Sequence, residues 1–392
     1  MNKKNHIQWI NGLRGIACLG VAIHHFLITF FPATHLGDYY FPTRLNHIDG
    51  FLSTSALGVL INGNFYVCIF CCLSGYVLSH SVIKLEQKDR LAEIITKRYF
   101  RLALPMFIIA FIISAMMHLN LFSNRNFSYY SGGYLIDTYF TTFIRWRDIP
   151  FLSLVSVWFH GDTTISPVFW MLNILFMGSF FSIILSVASW KLDKKFVLPL
   201  YLLLIIPYMT DYNLCFVFGT LFAYINLNFN DVLNFKMHGL VGTLCILFGL
   251  FLGGYPTELY PINYYEYIHD LLEPAFDPHI SLVCHTVGAG FLILGIMLCN
   301  SAQKVLSSKV FVMLGTISYA VYLVHMPIIC SFSTSFFKWL FANNQNYASV
   351  AGITFLLTIA IVLACATAFY FIIEKTCEKL IGKGIKFLYP AK

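Results

Sequence analysis

The chain has 392 residues, 58% of them hydrophobic and 11% charged, with a formal net charge of +7. Soluble domains carry about 25% charged residues. A soluble fold has no interior for this much apolar surface, so composition points to an all-α protein that crosses the membrane many times. The positive charge then marks loops facing the cytoplasm rather than a nucleic-acid surface.

Met1–Lys4 is basic and an apolar stretch follows, in the manner of a signal peptide. That stretch contains Arg14, His24 and His25 and has no small-residue cleavage site, so it reads as a retained first span. A helix needs about 20 residues to cross. Apolar runs predict about ten spans, near 8–31, 56–80, 102–121, 167–190, 196–210, 211–228, 238–254, 281–299, 311–333 and 347–373. The fifth and sixth are short and share one stretch broken at Pro207 and Asp211, so they read as two crossings or as one re-entrant element. Residues 81–101 form a charged, helical segment leading into the third span, and 122–166 and 255–280 are long outer loops rich in Tyr, Trp, Asp and Pro. On this layout 19 Lys and Arg fall on the side of the N- and C-termini, 5 on the other, and Arg14 within a span. That bias places both termini in the cytoplasm. No internal repeat or appended soluble domain is expected.

The eleven cysteines avoid the outer loops, which argues against a disulfide framework. Cys68, Cys71 and Cys72 have the look of a metal spacing, but they sit in an apolar run without a second pair. They read as packing, and no metal site is expected.

Ionisable groups inside a bilayer are costly, so each is a functional candidate. Arg14 and His25 are eleven residues apart, about three turns plus 20°, so both lie on one face of the first span, about 16 Å apart along it. Such a stripe suits a long ligand, with a phosphate end at Arg14 and a reactive end at His25, whose near-neutral pKa suits a general base. Equally, Arg14 can snorkel to headgroups while His25 bonds between helices. His24 points about 80° away from that face. Lys97, Arg98 and Arg101 stand at the mouth of the third span, Arg98 and Arg101 on one face at i,i+3. They can grip a phosphate, although a stop-transfer flank on anionic lipid is the simpler reading. Ser318, Tyr322 and His325 recur at i, i+4 and i+7, one polar stripe just before Pro327, which suits either a site or interhelical hydrogen bonding.

In this order these segments resemble the acyltransferase-3 family of membrane acyltransferases. Asn11-Gly12-Leu13-Arg14-Gly15-Ile16-Ala17, followed by His25, is similar to its arginine–ten residues–histidine signature. Leu73-Ser74-Gly75-Tyr76 resembles its second-span motif, and Lys97-Arg98-Tyr99-Phe100-Arg101-Leu102 with Pro105 its basic motif. Pro167 to Ser179, with Trp170, Leu172 and Gly178, resembles its middle-span motif, and 315–327 its late motif. The resemblance implies transfer of an acyl group, commonly acetyl, from cytoplasmic acyl-CoA to a hydroxyl of a cell-surface carbohydrate, by an enzyme of the inner membrane. It implies an essential pair in Arg14 and His25, donor binding by Arg14, Lys97, Arg98 and Arg101, and roles for Ser74, Trp170, Ser318, Tyr322 and His325. Acetyl-CoA would be a co-substrate, and no permanently bound cofactor is implied. The acceptor would be a polysaccharide or lipopolysaccharide unit, or a lipid-linked sugar. Tyr129, Tyr130, Trp146, Trp158, Tyr260, Tyr264 and Tyr265 of the outer loops would stack on sugar rings, or serve only as interface anchors. The chain departs from the family at three acids, with Asn11, Cys68 and Leu175 in their places. This removes candidate partners for Arg14 and leaves His25 without a carboxylate. A carrier or flippase for lipid-linked glycans is the rival reading; repeat-built transporters show internal hydropathy symmetry, which this chain lacks. A non-catalytic membrane scaffold is a third.

Overall fold

The computed structural model describes residues 5–37, 39, 41–85, 90–229, 237–259 and 261–390. Lys3, Lys4, Lys88, Lys236 and Lys392 of the charge argument, and Tyr260 of the aromatic set, lie outside the described residues.

The described residues form helices and no strands. The ten main helices are α1 (Asn5–Phe30), α2 (Gly63–Ile83), α3 (Leu91–His118), α4 (Trp170–Lys191), α5 (Lys194–Ile205), α6 (Asn213–Asn228), α7 (His238–Gly253), α8 (Ile280–Leu298), α9 (Ser318–Asn343) and α10 (Tyr347–Leu388). Seven helices among the described residues are long and apolar enough to cross a membrane. α5, α6 and α7 have 12, 16 and 16 residues. At 1.5 Å per residue the longer two reach about 24 Å, short of a bilayer core of about 30 Å. The fifth and sixth apolar runs form two helices, divided at 206–212.

Three boundaries differ from the sequence expectation. The second span begins at Gly63, not 56, because Asn62 caps it by accepting from the Phe65 N–H at 3.2 Å, while Ala56–Leu60 forms a separate turn. A Cβ on Gly63 would stand 2.5 Å from the His24 ring, so glycine there lets α2 start directly against α1. The ninth span is broken at Ile317, between a helix Lys309–Thr316 and α9, which then runs to Asn343 through a wide turn at Ile329–Ser333 beyond Pro327. The carbonyl of Gly315 at this break accepts from the Ser318 hydroxyl and from Arg14. The last helix continues past 373 to Leu388 through a second wide turn at Tyr370–Glu374. The two outer segments also contain helical turns, the longest being Tyr264–Phe276.

Most of the apolar core is one continuous cluster. All eleven cysteines are unpaired. Cys68, Cys71 and Cys72 are fully buried on α2, with Cys68 facing Cys215 of α6. No group of three or more metal-ligating side chains occurs among the described residues.

Candidate active site

α1 and α9 lie side by side and run parallel. Three rungs at a nearly constant offset join the two segments: Arg14 Nη2 donates to the Gly315 carbonyl at 2.8 Å, Cys18 Sγ to the Ser318 carbonyl at 2.8 Å, and His25 Nδ1 lies 3.2 Å from His325 Nε2. The lowest rung depends on bare backbone, since a Cβ on Gly315 would stand 1.9 Å from the Asn11 carbonyl oxygen and one on Gly15 2.5 Å from the Gly315 nitrogen.

At the Arg14 end of this ladder a cavity of about 600 Å³ opens between α1, α2, α3, α4, α9 and α10. Its polar lining gathers Arg14, Ser74, Lys97, Arg98, Arg101, Ser318 and Tyr322, seven of the residues singled out from sequence. Arg98 is clamped across three helices, donating from Nη2 to Ser74 Oγ at 2.6 Å and from Nε to Ser179 Oγ at 3.1 Å. Arg101 is exposed and pairs with Glu378 at 3.1 Å. It lines, with Lys97, a second cavity of about 250 Å³. A planar guanidinium held on two hydroxyls, beside two further arginines and a lysine, is a strong anion-binding arrangement.

The far rung is a histidine pair. His325 Nδ1 lies 3.1 Å from the Val321 carbonyl and His25 Nδ1 2.9 Å from the Val21 carbonyl. A nitrogen beside a carbonyl must carry the proton. His325 Nε2 is therefore the acceptor that faces His25 Nδ1–H, and the unprotonated nitrogen of His25 is Nε2.

Sequence and structure disagree on several residues. His25 does not line the large cavity that Arg14 lines; Tyr322 does, and its hydroxyl donates to the Val168 carbonyl while its ring is 5.8 Å from that of His325. Trp170 joins neither group and packs on Tyr212, with centroids 5.8 Å apart, because its helix turns Met171 and Leu172 to the cavity instead. Trp158 and Tyr265 are fully buried, bonded to the carbonyls of Ser153 and Phe251, and cannot stack on a sugar. Tyr264 binds the Ala56 N–H, and Trp146 stacks on His118 and Phe111; Tyr129, 86% exposed, keeps a free ring face. His24 is bonded to His35 and to the Gly63 N–H, a structural corner of α1 and α2.

Sequence reasoning also missed residues. Tyr319, Glu374 and Glu378 line the large cavity, and Ser179 holds Arg98. The available signal was the pair of acids in an otherwise lysine-rich tail. Asn11 and Leu175, at two of the missing family acids, line the same cavity as Glu374, so a carboxylate returns there from another helix. Cys68 does not.

A family model for an acyltransferase domain, that of the acyltransferase-3 family, matches residues 7–370, nearly the whole chain. The chain belongs to the acyltransferase-3 family. Among the described residues it has seven helices long and apolar enough to cross a membrane. Among similar proteins, the O-acetyltransferase PaAT-1 of Phomopsis amygdali is 33% identical over 120 residues, 29% of this chain and 23% of that protein. An acyltransferase of a Phoma species is 27% identical over 143 residues, 34% of this chain and 30% of that protein. Acyltransferase clz18 of Cochliobolus lunatus is 27% identical over 147 residues, 36% of this chain and 30% of that protein. The match thus spans less than a third of each of these relatives. No solved structure matches the acyltransferase-3 chain.

Proposed function

We propose that this protein is an O-acyltransferase of the inner membrane, moving an acyl group, most readily acetyl, from acyl-CoA to a hydroxyl of a cell-surface polysaccharide or lipopolysaccharide unit. The observation that carries the reading is the ladder itself, with a cationic cavity at one end and a tautomer-defined histidine pair at the other. The whole chain acts as one membrane acyltransferase domain. The start of α1 and the end of α10 line the same cavity, in keeping with an even number of passes. The bias of basic residues puts that end in the cytoplasm, where acyl-CoA is.

Arg14, Lys97, Arg98 and Arg101 hold the donor's phosphates, and Ser74, Ser318 and Tyr322 line the path of its arm. The donor thioester passes Tyr322 to reach His25. His25 Nε2 takes the proton of the acceptor hydroxyl as its oxygen attacks the thioester carbonyl. Nδ1–H of the resulting imidazolium is held by His325 Nε2 and the Val21 carbonyl. The C–S bond then breaks, the ester is released and the proton leaves on the thiol of CoA.

The test replaces His25 with Ala, verifies by blotting that the protein reaches the membrane, and measures ester-linked acetate on the purified surface glycan. Acetate should vanish while the glycan remains. Unchanged acetate, against a clear loss in the deletion strain, would remove His25 from the mechanism. A deletion strain that keeps its acetate but exports less glycan would replace the acyltransfer reading with the carrier.

A further inference from the structure

The large cavity has one wall that comes from outside the family-matched residues. The match ends at residue 370, yet Glu374, Cys377, Glu378 and Ile381 all line the cavity. With Tyr370 they fall at i, i+4, i+7, i+8 and i+11, a single stripe of a continuous helix, so the entire face of this segment is turned inward. The segment is anchored rather than trailing. Cys377, Ile381 and Ile385 are buried and pack against Leu104 and Ile108 of α3, and the Tyr389 hydroxyl lies 3.0 Å from Thr96 Oγ1.

The charge on this stripe is opposite to that of the wall it faces. Glu378 holds Arg101 at 3.1 Å. Glu374 has Arg101 and Arg14 as its cationic neighbours, but forms no ion pair with either, and its Oε1 is buried without a hydrogen-bond partner among the described residues. Both carboxylates therefore stand beside the cations that would take an anionic ligand. Glu378 acts as an internal anion: it occupies Arg101 and repels a phosphate that enters the cavity.

We propose that the C-terminal helix completes the donor site, and that Glu378 competes with the donor's phosphates for Arg101, so that a segment beyond the family domain sets donor affinity. This rests on the reading of the cavity as an acyl-CoA site. An exposed ion pair is a weak competitor, so the effect is a tuning of affinity rather than an on-off switch.

The experiment titrates CoA against the full-length protein in nanodiscs by calorimetry, for the wild type, Glu378→Gln and Glu374→Gln. Both substitutions keep side-chain size and remove charge, and the melting temperature of each variant checks its folding. Glu378→Gln should bind CoA about two- to five-fold more tightly than the wild type, and Glu374→Gln, which frees no ion pair, should change it less. That gain should shrink as salt is raised from about 0.05 to about 0.5 M, because screening weakens the competition. Equal or weaker binding by a folded Glu378→Gln variant overturns the proposal, as does a gain that salt leaves untouched. If the wild type binds no CoA, the donor reading itself fails. If the wild type binds and the variants do not differ from it, only the competition fails.

Discussion

The role assigned to His325 makes a quantitative prediction. Replacing it with Phe keeps an aromatic ring in a fully buried position but removes the acceptor that faces His25. His25 Nδ1 keeps its bond to the Val21 carbonyl at 2.9 Å, so one of two acceptors is lost rather than both. A hydrogen bond to a charged group contributes about 1.5–3 kcal/mol, and the 3.2 Å separation places this one at the weak end. A loss of about 1.5 kcal/mol corresponds to a roughly tenfold fall in kcat. Removing His25 itself should cost about 10²–10⁴-fold. The KM for the donor should not move, because His325 lies outside the large cavity. The assay follows CoA thiol release from acetyl-CoA by membranes carrying each variant, in the presence of acceptor glycan. A loss as deep as that of His25→Ala would mean that His325 carries the proton itself. No loss at all would refute the role assigned to His325, since the Val21 carbonyl alone would then suffice to hold His25 Nδ1.

Two further outcomes follow from the cavity and the ladder. Arg98→Lys cannot reach Ser74 and Ser179 together, so it should raise the donor KM about tenfold with little change in kcat, as measured by initial rates against acetyl-CoA. Gly315→Ala puts a methyl group 1.9 Å from the Asn11 carbonyl oxygen and must push the segment before α9 away from α1. Overpacking of this kind costs about 1–3 kcal/mol or more, and thermal unfolding in detergent should show a lowered midpoint together with lost activity.

Much of the cavity is legible in the sequence because a charged residue in an apolar helix needs a reason to be there. Arg14, Lys97, Arg98, Arg101 and the polar stripe Ser318–Tyr322 all meet in space. The aromatic residues are not legible in the same way. Trp158 and Tyr265 have the composition of a sugar platform, but whether a ring faces water or the core depends on what packs over it, and both are buried. Glu374 and Glu378 escape notice for a different reason. They sit among lysines in what reads as a solvated tail, and only the continuation of α10 past the membrane segment turns them toward Arg101.

The partner of His25 illustrates the deeper limit. Periodicity on α1 puts Arg14, Cys18 and His25 on one stripe, and periodicity on α9 puts Ser318, Tyr322 and His325 on another. Each stripe is local and can be read from a few turns of sequence. Their alignment is not, because it closes a loop of about 300 residues and depends on two glycines, Gly15 and Gly315, that let the backbones touch. From Ser318 onward the parallel helices keep their register, so the rung at Cys18 leads to the rung at His25 seven residues later. The missing carboxylate next to His25 is then not a gap in the chemistry. The same register that seats Arg14 on Gly315 brings His325 Nε2 to His25 Nδ1, and in the proposed mechanism a neutral imidazole supplies there what a buried acid would otherwise supply, without placing another charge inside the membrane.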